Sequence, residues 1–359
     1  MLWECKCGIV FIEENNKKML AILPRFTLAA RPGAPPPRGL SVSANTVIAK
    51  YAPLQKHPSL FDPTRVEDEW LHPEYKEIFN AIVTSDVTWS DPAEASSLAR
   101  SLISEDARQI FSFPLLRDEC CVKLIEEIEH FQRTGLPARR PNSMNNYGLV
   151  LTEIGLKPSL DALQACIHPL ARALFPVEGE TFDGHHSFCV SYKPDEDRGL
   201  DMHTDDSDVT LNVCLGKEFE AAGLSFCGDM GTPDHRKESF RYSHVKGKAL
   251  LHLGRRRHGA DDICSGHRVN LIMWNWNQGY RASPAFRARP YFREQGAPDR
   301  QCVSFTHDRD YESISGEARP VGSEKFADTA WCPPPQAEYP GFAGKGGRYR
   351  DRLSPDDIS

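Results

Sequence analysis

The chain has 359 residues, enough for one large hydrophobic core with extensions or for two domains. Its 43 basic and 50 acidic residues give a net charge of -7, which provides no general attraction to nucleic acid. No apolar run approaches the roughly 18 residues that a membrane-spanning helix needs, so we expect no membrane partner.

Residues 1–65 are predicted to form an irregular N-terminal segment. Residues 17–61 contain no Asp or Glu, and the proline-rich run at residues 31–38 must be extended. This stretch is either a connector or an organelle transit peptide, because such peptides are poor in acidic residues. The 11 scattered cysteines indicate a reduced environment. We therefore expect an intracellular, cytoplasmic protein, with organelle targeting as the alternative.

Residues 66–109 are predicted to be helical and structural in role. Apolar residues from Trp70 to Ile82 recur at helical spacing, and residues 93–102 suggest a second helix. Residues 110–116 read as a strand that ends near Pro114. Asp118 is predicted to cap the helix that follows and runs to about Phe131.

A further helix is expected over residues 160–174, after which the pattern changes to short strands. The predicted strands cover residues 188–192, 209–215, 224–227, 249–253 and 269–276. Short strands separated by turn residues are typical of a jelly roll. Residues 278–359 have weak periodicity and are predicted to be an irregular C-terminal tail.

Two candidate metal ligands, His203 and Asp205, lie two residues apart in the sequence His-Thr-Asp. On an extended chain both would point to the same side. A third ligand must come from another strand, and the candidates are His252 and His258. His258 is favoured, because His252 lies inside an apolar run and suits a core position. Two histidines and one carboxylate leave three coordination positions open, as in non-haem Fe(II) oxygenases.

Arg268 follows His258 by ten residues and opens a predicted strand. A guanidinium there could bind the distal carboxylate of 2-oxoglutarate through two parallel hydrogen bonds. Asn212 could contact the same cosubstrate or simply fix a turn. Asn142, Asn145 and Asn146 could line a substrate opening or serve only their loop.

These residues, together with the runs at 140–148 (RPNSMNNYG), 209–213 (VTLNV) and 268–271 (RVNL), carry a resemblance. The sequence resembles the prolyl 4-hydroxylase-like branch of the 2-oxoglutarate- and Fe(II)-dependent oxygenases from about residue 110 to 277.

The resemblance implies that His203, Asp205 and His258 bind Fe(II) and that Arg268 binds 2-oxoglutarate. It also implies that the hydroxyl of Tyr192 helps to hold this cosubstrate, and that ascorbate is a further cofactor. The three arginines at 255–257 depart from the pattern. We expect them to face solvent or an acidic partner, since burying three unpaired charges is costly.

The predicted fold is α+β, a double-stranded β-helix over residues 110–277 with supporting N-terminal helices. The resemblance implies a dioxygenase that hydroxylates a protein or peptide side chain and releases succinate and CO2. The alternatives are a small-molecule hydroxylase or demethylase of the same superfamily, or a non-catalytic jelly-roll binding protein.

Overall fold

The chain divides into two units, Met1–Ser41 and Val42–Ser359. The computed structural model describes residues 2–4, 10–14, 17–21, 42–85, 91–142, 144–229 and 240–288. In the first unit three strands pair antiparallel in chain order: β1 (Leu2–Glu4), β2 (Val10–Glu14) and β3 (Lys17–Ala21). The prediction of an irregular segment is wrong for these strands.

Within its described residues the second unit contains seven α-helices, among them two short ones after the last described strand. They are α1 (Val42–Tyr51), α2 (Pro73–Val83), α3 (Pro92–Leu102), α4 (Asp118–Arg133), α5 (Lys157–Leu174), α6 (Gln278–Ala282) and α7 (Pro284–Arg287). Short 3₁₀ or π turns cover Ala52–Leu54, Pro58–Phe61, Pro63–Arg65, Val66–Trp70 and Leu151–Ile154. Residues 42–65 are thus helical or turn-forming, which corrects the prediction that they are irregular.

Thirteen further strands of the second unit lie within the described residues. They are β4 (Ser104–Ala107), β5 (Ile110–Pro114), β6 (Gly148–Val150), β7 (Gly184–Tyr192), β8 (Leu200–His203), β9 (Val209–Gly216), β10 (Phe219–Ala221), β11 (Leu224–Asp229), β12 (Phe240–Tyr242), β13 (Lys248–Leu253), β14 (Arg256–Ala260), β15 (Ile263–Gly266) and β16 (Arg268–Trp276).

These strands form two main antiparallel sheets with a core between them. The major sheet has the order β4-β5-β13-β9-β16-β7-β6, and the minor sheet has the order β12-β11-β14-β8. From β7 onwards the chain repeatedly passes from one sheet to the other, and β10 pairs with β15 at the side. Phe188 and Ile272 of the major sheet share one apolar cluster with Leu224 and Phe226 of the minor sheet. This arrangement is the predicted double-stranded β-helix.

The helices cover the outer face of the major sheet. The ring of Tyr75 on α2 stacks on Phe113 of β5 with centroids 5.3 Å apart. Strand β9 is consequently buried on both faces, as its unbroken run of buried residues requires. The supporting helices therefore hold the sheet that carries part of the candidate site.

Three helix boundaries differ from the predictions. The expected helix around Trp70 to Ile82 is interrupted, because Pro73 begins α2 and forces His72 into an extended conformation. Asp118 is the first residue of α4, and Arg117 occupies the cap position without a capping hydrogen bond. Helix α5 begins at Lys157 and includes Pro158 in its first turn.

The predicted C-terminal tail is helical at its start, over α6 and α7, and its remainder lies outside the described residues. None of the helices within the described residues is both long and apolar enough to cross a membrane.

Candidate metal centre

His203 and His258 are direct cross-strand partners in the minor sheet. His203 is the last residue of β8 and faces His258 in the middle of β14. Residues opposite each other in an antiparallel pair point to the same face, so the two rings meet with centroids 4.4 Å apart. Both side chains are buried. Strand register therefore brings together two residues that are 55 positions apart in the chain.

Asp205 completes a cluster of three potential ligands from the loop after β8. Its Oδ1 lies 3.5 Å from Nε2 of His203, and its Oδ2 lies 3.5 Å from Nε2 of His258. One ligand atom from each residue lies within 4.8 Å of the others. The spacing predicted an extended strand, but Asp205 lies in a loop. Its backbone N–H donates to the carbonyl of Gly254 at 2.9 Å and anchors this loop.

The loop around Asp205 is held by close packing and by a hydroxyl. The hydroxyl of Thr210 donates to Oδ2 of Asp205 at 2.6 Å. A side chain at Gly254 would collide with the carbonyl oxygen of Ser207, so this approach needs a glycine. The carboxylate thus has a fixed direction before any ion binds.

The protonation states of the cluster suit a divalent cation. Nδ1 of His258 lies 2.9 Å from the carbonyl of Arg256, which can only accept, so Nδ1 carries the proton and Nε2 keeps its lone pair. Burial lowers the pKa of His258 to about 3, so the ring is neutral. Burial opposes ionisation of Asp205, but the neighbouring His258 and His203 outweigh it and keep the carboxyl pKa below its ordinary value. An anionic oxygen and neutral imidazole nitrogen are the forms that bind metal.

His252, the alternative third ligand, is outside this cluster. It is fully buried in β13, its ring lies 4.8 Å from that of His258, and Phe226 packs against it at 5.2 Å. Its Nδ1 faces the carbonyl of Leu253 at 3.0 Å. The contacts of His252 are those of a core residue behind the candidate ligands.

Arg268 supplies a buried positive charge to the same pocket. It opens β16 opposite Tyr192 of β7, and its guanidinium carbon lies 4.5 Å from the centroid of the Tyr192 ring. The side chain donates to the carbonyls of Ala222 and Gly223, while Nε has no hydrogen-bond partner among the described residues. Burial lowers the pKa of Arg268, which shows how costly this cation is to enclose. A buried guanidinium with an unused donor is suited to bind an anion that enters the pocket.

The triad and Arg268 line one pocket between the two sheets. Tyr192 and Asn212, both predicted as cosubstrate residues, also line it. Asn212 lies within β9 and accepts a hydrogen bond of 2.6 Å from the side-chain amide of Asn270. It is therefore a pocket residue and not a turn residue. Asn270 was not predicted as a site residue, although it lies two residues after Arg268 and therefore on the same strand face.

The buried loop residue Asn145 also lines this pocket, so the interpretation that it serves only its loop is incomplete.

Of the two predicted environments for the arginine run at 255–257, solvent is wrong and acidic partners are found for Arg255 and Arg256. Arg257 is fully buried and Arg256 is 5% exposed. Arg255 pairs with Glu178 at 2.5 Å and with Asp229 at 3.3 Å, and Arg256 lies 3.5 Å from Asp229. The acidic partners come from distant segments of the same chain, which spacing within the run could not reveal.

Residues 47–180 match the OGFOD2-like domain family. The chain is 42% identical over 193 residues to the 2-oxoglutarate and iron-dependent oxygenase domain-containing protein ICU11 of Arabidopsis thaliana, covering 51% of this chain and 49% of that protein. It is 41% identical to the 2-oxoglutarate and iron-dependent oxygenase domain-containing protein 2 of Xenopus tropicalis, covering 52% of this chain and 54% of that protein. The human multifunctional procollagen lysine hydroxylase and glycosyltransferase LH3 is 29% identical over 60% of this chain and 30% of its own length.

The chain spans about half the length of the two oxygenase domain-containing relatives. The matched family domain ends before His203, so the triad lies beyond it.

Proposed function

We propose that this chain, a homologue of the 2-oxoglutarate and iron-dependent oxygenase domain-containing proteins that carries an OGFOD2-like domain, is an Fe(II)- and 2-oxoglutarate-dependent dioxygenase. The observation that carries the proposal is the shared pocket. Three side chains that could bind a metal and a buried guanidinium with an unused donor line the same cavity. A 2-keto dicarboxylate suits such a pocket, because its keto acid end can bind a metal and its distal carboxylate can bind the guanidinium.

Each residue has a defined task in this proposal. His203, Asp205 and His258 would hold Fe(II) on one side and leave the other side open. Arg268 would bind the distal carboxylate of 2-oxoglutarate, with the hydroxyl of Tyr192 as an additional donor. Bound Fe(II) supplies oxygen activation coupled to oxidative decarboxylation, which yields succinate and CO2.

Apolar side chains line part of the pocket beside the candidate metal ligands. Phe188, Leu224 and Ile272 form apolar walls of the pocket, and Asp205 is the one carboxylate that lines it among the described residues. The described lining thus offers a substrate no charged side chain beyond Asp205 and Arg268.

The substrate class we propose is a side chain of a protein or peptide. It is supported by the similarity to LH3, whose name describes a procollagen lysine hydroxylase. A small-molecule hydroxylase or demethylase would use the same iron and 2-oxoglutarate residues. An intracellular location is supported by the cysteines, because all seven within the described residues are unpaired.

Succinate production tests the proposal without knowledge of the substrate. Purified protein with Fe(II), ascorbate and 2-oxoglutarate should release succinate slowly, and the Asp205→Ala variant should release none above background. A wild-type protein that binds 2-oxoglutarate but never produces succinate, with or without a cell lysate as substrate source, would support a non-catalytic binding protein instead.

A further inference from the structure

We infer that Asn145 is a positioning residue that aims the hydroxyl proton of Tyr192 at the bound cosubstrate. The inference rests on the proposed function, because it assigns a role to a residue behind the proposed 2-oxoglutarate site. Asn145 is 1% exposed and lies on the loop before β6. Its Nδ2 donates to the hydroxyl oxygen of Tyr192 at 3.1 Å.

The orientation of the Asn145 amide follows from backbone groups that can act in only one way. The backbone N–H groups of Met144 and Asn145 donate to Oδ1 of Asn142 at 2.8 and 2.7 Å. The Nδ2 of Asn142 is therefore left to donate to Oδ1 of Asn145 at 3.0 Å. The Nδ2 of Asn145 consequently faces Tyr192, and the whole relay has one consistent direction.

This relay determines where the proton of Tyr192 can go. An amide N–H only donates, so the hydroxyl oxygen accepts from Asn145 and its own proton must point elsewhere. Burial raises the pKa of Tyr192, although Arg268 and Asn145 oppose it, so the proton stays on the oxygen. No described residue accepts this proton in a hydrogen bond.

The hydroxyl of Tyr192 and the unused Nε of Arg268 belong to residues that line the same pocket. Tyr192, Asn145 and Arg268 all line the pocket, and the guanidinium lies over the tyrosine ring. A carboxylate bound by Arg268 is the acceptor that both donors need. Asn145 thus acts through Tyr192 and need not touch the iron ligands.

Asn146 provides a matched control on the same loop. Its side chain donates to Oδ1 of Asp197 at 2.9 Å and accepts from Arg140 at 2.9 Å, and it does not line the pocket. Asn146→Ala therefore loosens the loop without altering the contact to Tyr192. A loss of affinity shared by both variants would indicate loop anchoring and not proton direction.

The test measures the dissociation constant of 2-oxoglutarate by calorimetry in the presence of Mn(II), which accepts the same ligand types without oxidation. Loss of one hydrogen bond predicts that Asn145→Ala weakens 2-oxoglutarate binding about three- to tenfold. Asn145→Asp should weaken it more, because a carboxylate of the same size would accept the hydroxyl proton and withdraw it from the pocket. Asn145→Ala should not alter the Mn(II) affinity measured without 2-oxoglutarate.

The Tyr192→Phe background separates this role from a structural one. In that background Asn145→Ala should change 2-oxoglutarate affinity by less than about twofold, since the group through which it acts is absent. Equal losses in both backgrounds, or unchanged affinity in both Asn145 variants, would overturn the inference. A wild-type protein that binds Mn(II) but not 2-oxoglutarate would overturn the proposed function itself. Melting temperatures identify any variant that has failed to fold.

Discussion

At the scale of single residues, the choice of third ligand depends on geometry that the sequence could not supply. His252 and His258 are both buried histidines next to glycine or apolar residues, and their rings lie 4.8 Å apart. Of these two histidines, only His258 has a nitrogen 3.5 Å from the Asp205 carboxylate. The preference for His258 came from the apolar surroundings of His252, and its role as ligand stays a proposal.

Substitution of the two histidines should separate metal binding from stability. His258→Ala should abolish high-affinity Mn(II) binding, because two remaining ligands hold a divalent ion weakly. His252→Ala should retain the ion but lower the free energy of unfolding by roughly 2–4 kcal/mol, since it leaves a cavity in packed β13. Metal titration and urea denaturation of both variants give the answer. If His252→Ala loses the metal while His258→Ala retains it, the assignment is wrong.

Arg268 should affect the cosubstrate and leave the metal unaffected. Arg268→Ala would leave a desolvated carboxylate without its partner, at a cost of roughly 3–5 kcal/mol. On that scale the 2-oxoglutarate concentration for half-maximal succinate production should rise by at least about two orders of magnitude. Arg268→Lys should fall between, because it keeps the charge without the planar fork.

The control for Arg268 is Mn(II) affinity, which both variants should retain. An unchanged half-saturating 2-oxoglutarate concentration in Arg268→Ala would assign the carboxylate to another cation.

At the scale of elements, the sequence predicted five strands of the major sheet but not its edge strands β4 and β6, and β4 lies in the segment predicted to be helical. It also did not predict β14, the strand that carries the candidate third ligand. Strands such as β9 and β16 are long, apolar and bounded by turn residues, so their pattern is evident. Strand β14 begins with charged Arg256 and Arg257, which a hydrophobic pattern reads as surface. Arg256 lies near Asp229, 27 residues away in the chain, and such long-range pairing is invisible to local periodicity.

The region before residue 66 shows the same limitation. Helix α1 is short, and what fixes it is a distant carboxylate: Glu127 of α4 is fully buried and accepts from the hydroxyl of Tyr51 and the backbone N–H of His57. The low acid content of the segment suggested a connector or transit peptide, but around Tyr51 and His57 the acidic partner is supplied by α4. The proline-rich run at 31–38 lies outside the described residues.

Helix α6 should stabilise the loop that carries Asp205. Arg281 donates to Asp208 at 2.8 Å and to Asp206 at 2.9 Å, both in that loop. Asp208 is fully enclosed while the side chain of Arg281 is 23% exposed, so we expect Arg281→Met to lower the free energy of unfolding by about 2 kcal/mol, less than for a fully buried pair. Mn(II) affinity should fall several-fold, because the carboxylate ligand loses its fixed direction.

Arg287→Met is the matched control for this prediction. Arg287 is exposed on α7, and among the described residues its side chain donates a hydrogen bond only to the carbonyl of Ala282. Equal Mn(II) affinities in both variants would show that α6 does not position the metal ligands.

At the scale of the whole molecule, the site exists because two sheets face each other. The minor sheet contributes His203 and His258, while the major sheet contributes Arg268 and Tyr192. Neither sheet alone has both a metal-binding end and an anion-binding end. The supporting helices bury the outer face of the major sheet and thereby fix the distance between these ends.

The central claim is that one pocket binds Fe(II) and 2-oxoglutarate together. It is tested most directly by adding Fe(II) and 2-oxoglutarate to the protein without oxygen and recording the visible absorption spectrum. A keto acid chelated to protein-bound Fe(II) gives a weak charge-transfer band. The account predicts this band in the wild type with both components present, and its loss in His203→Ala and Asp205→Ala. No band in the wild type, or a full band in either variant, would contradict the account.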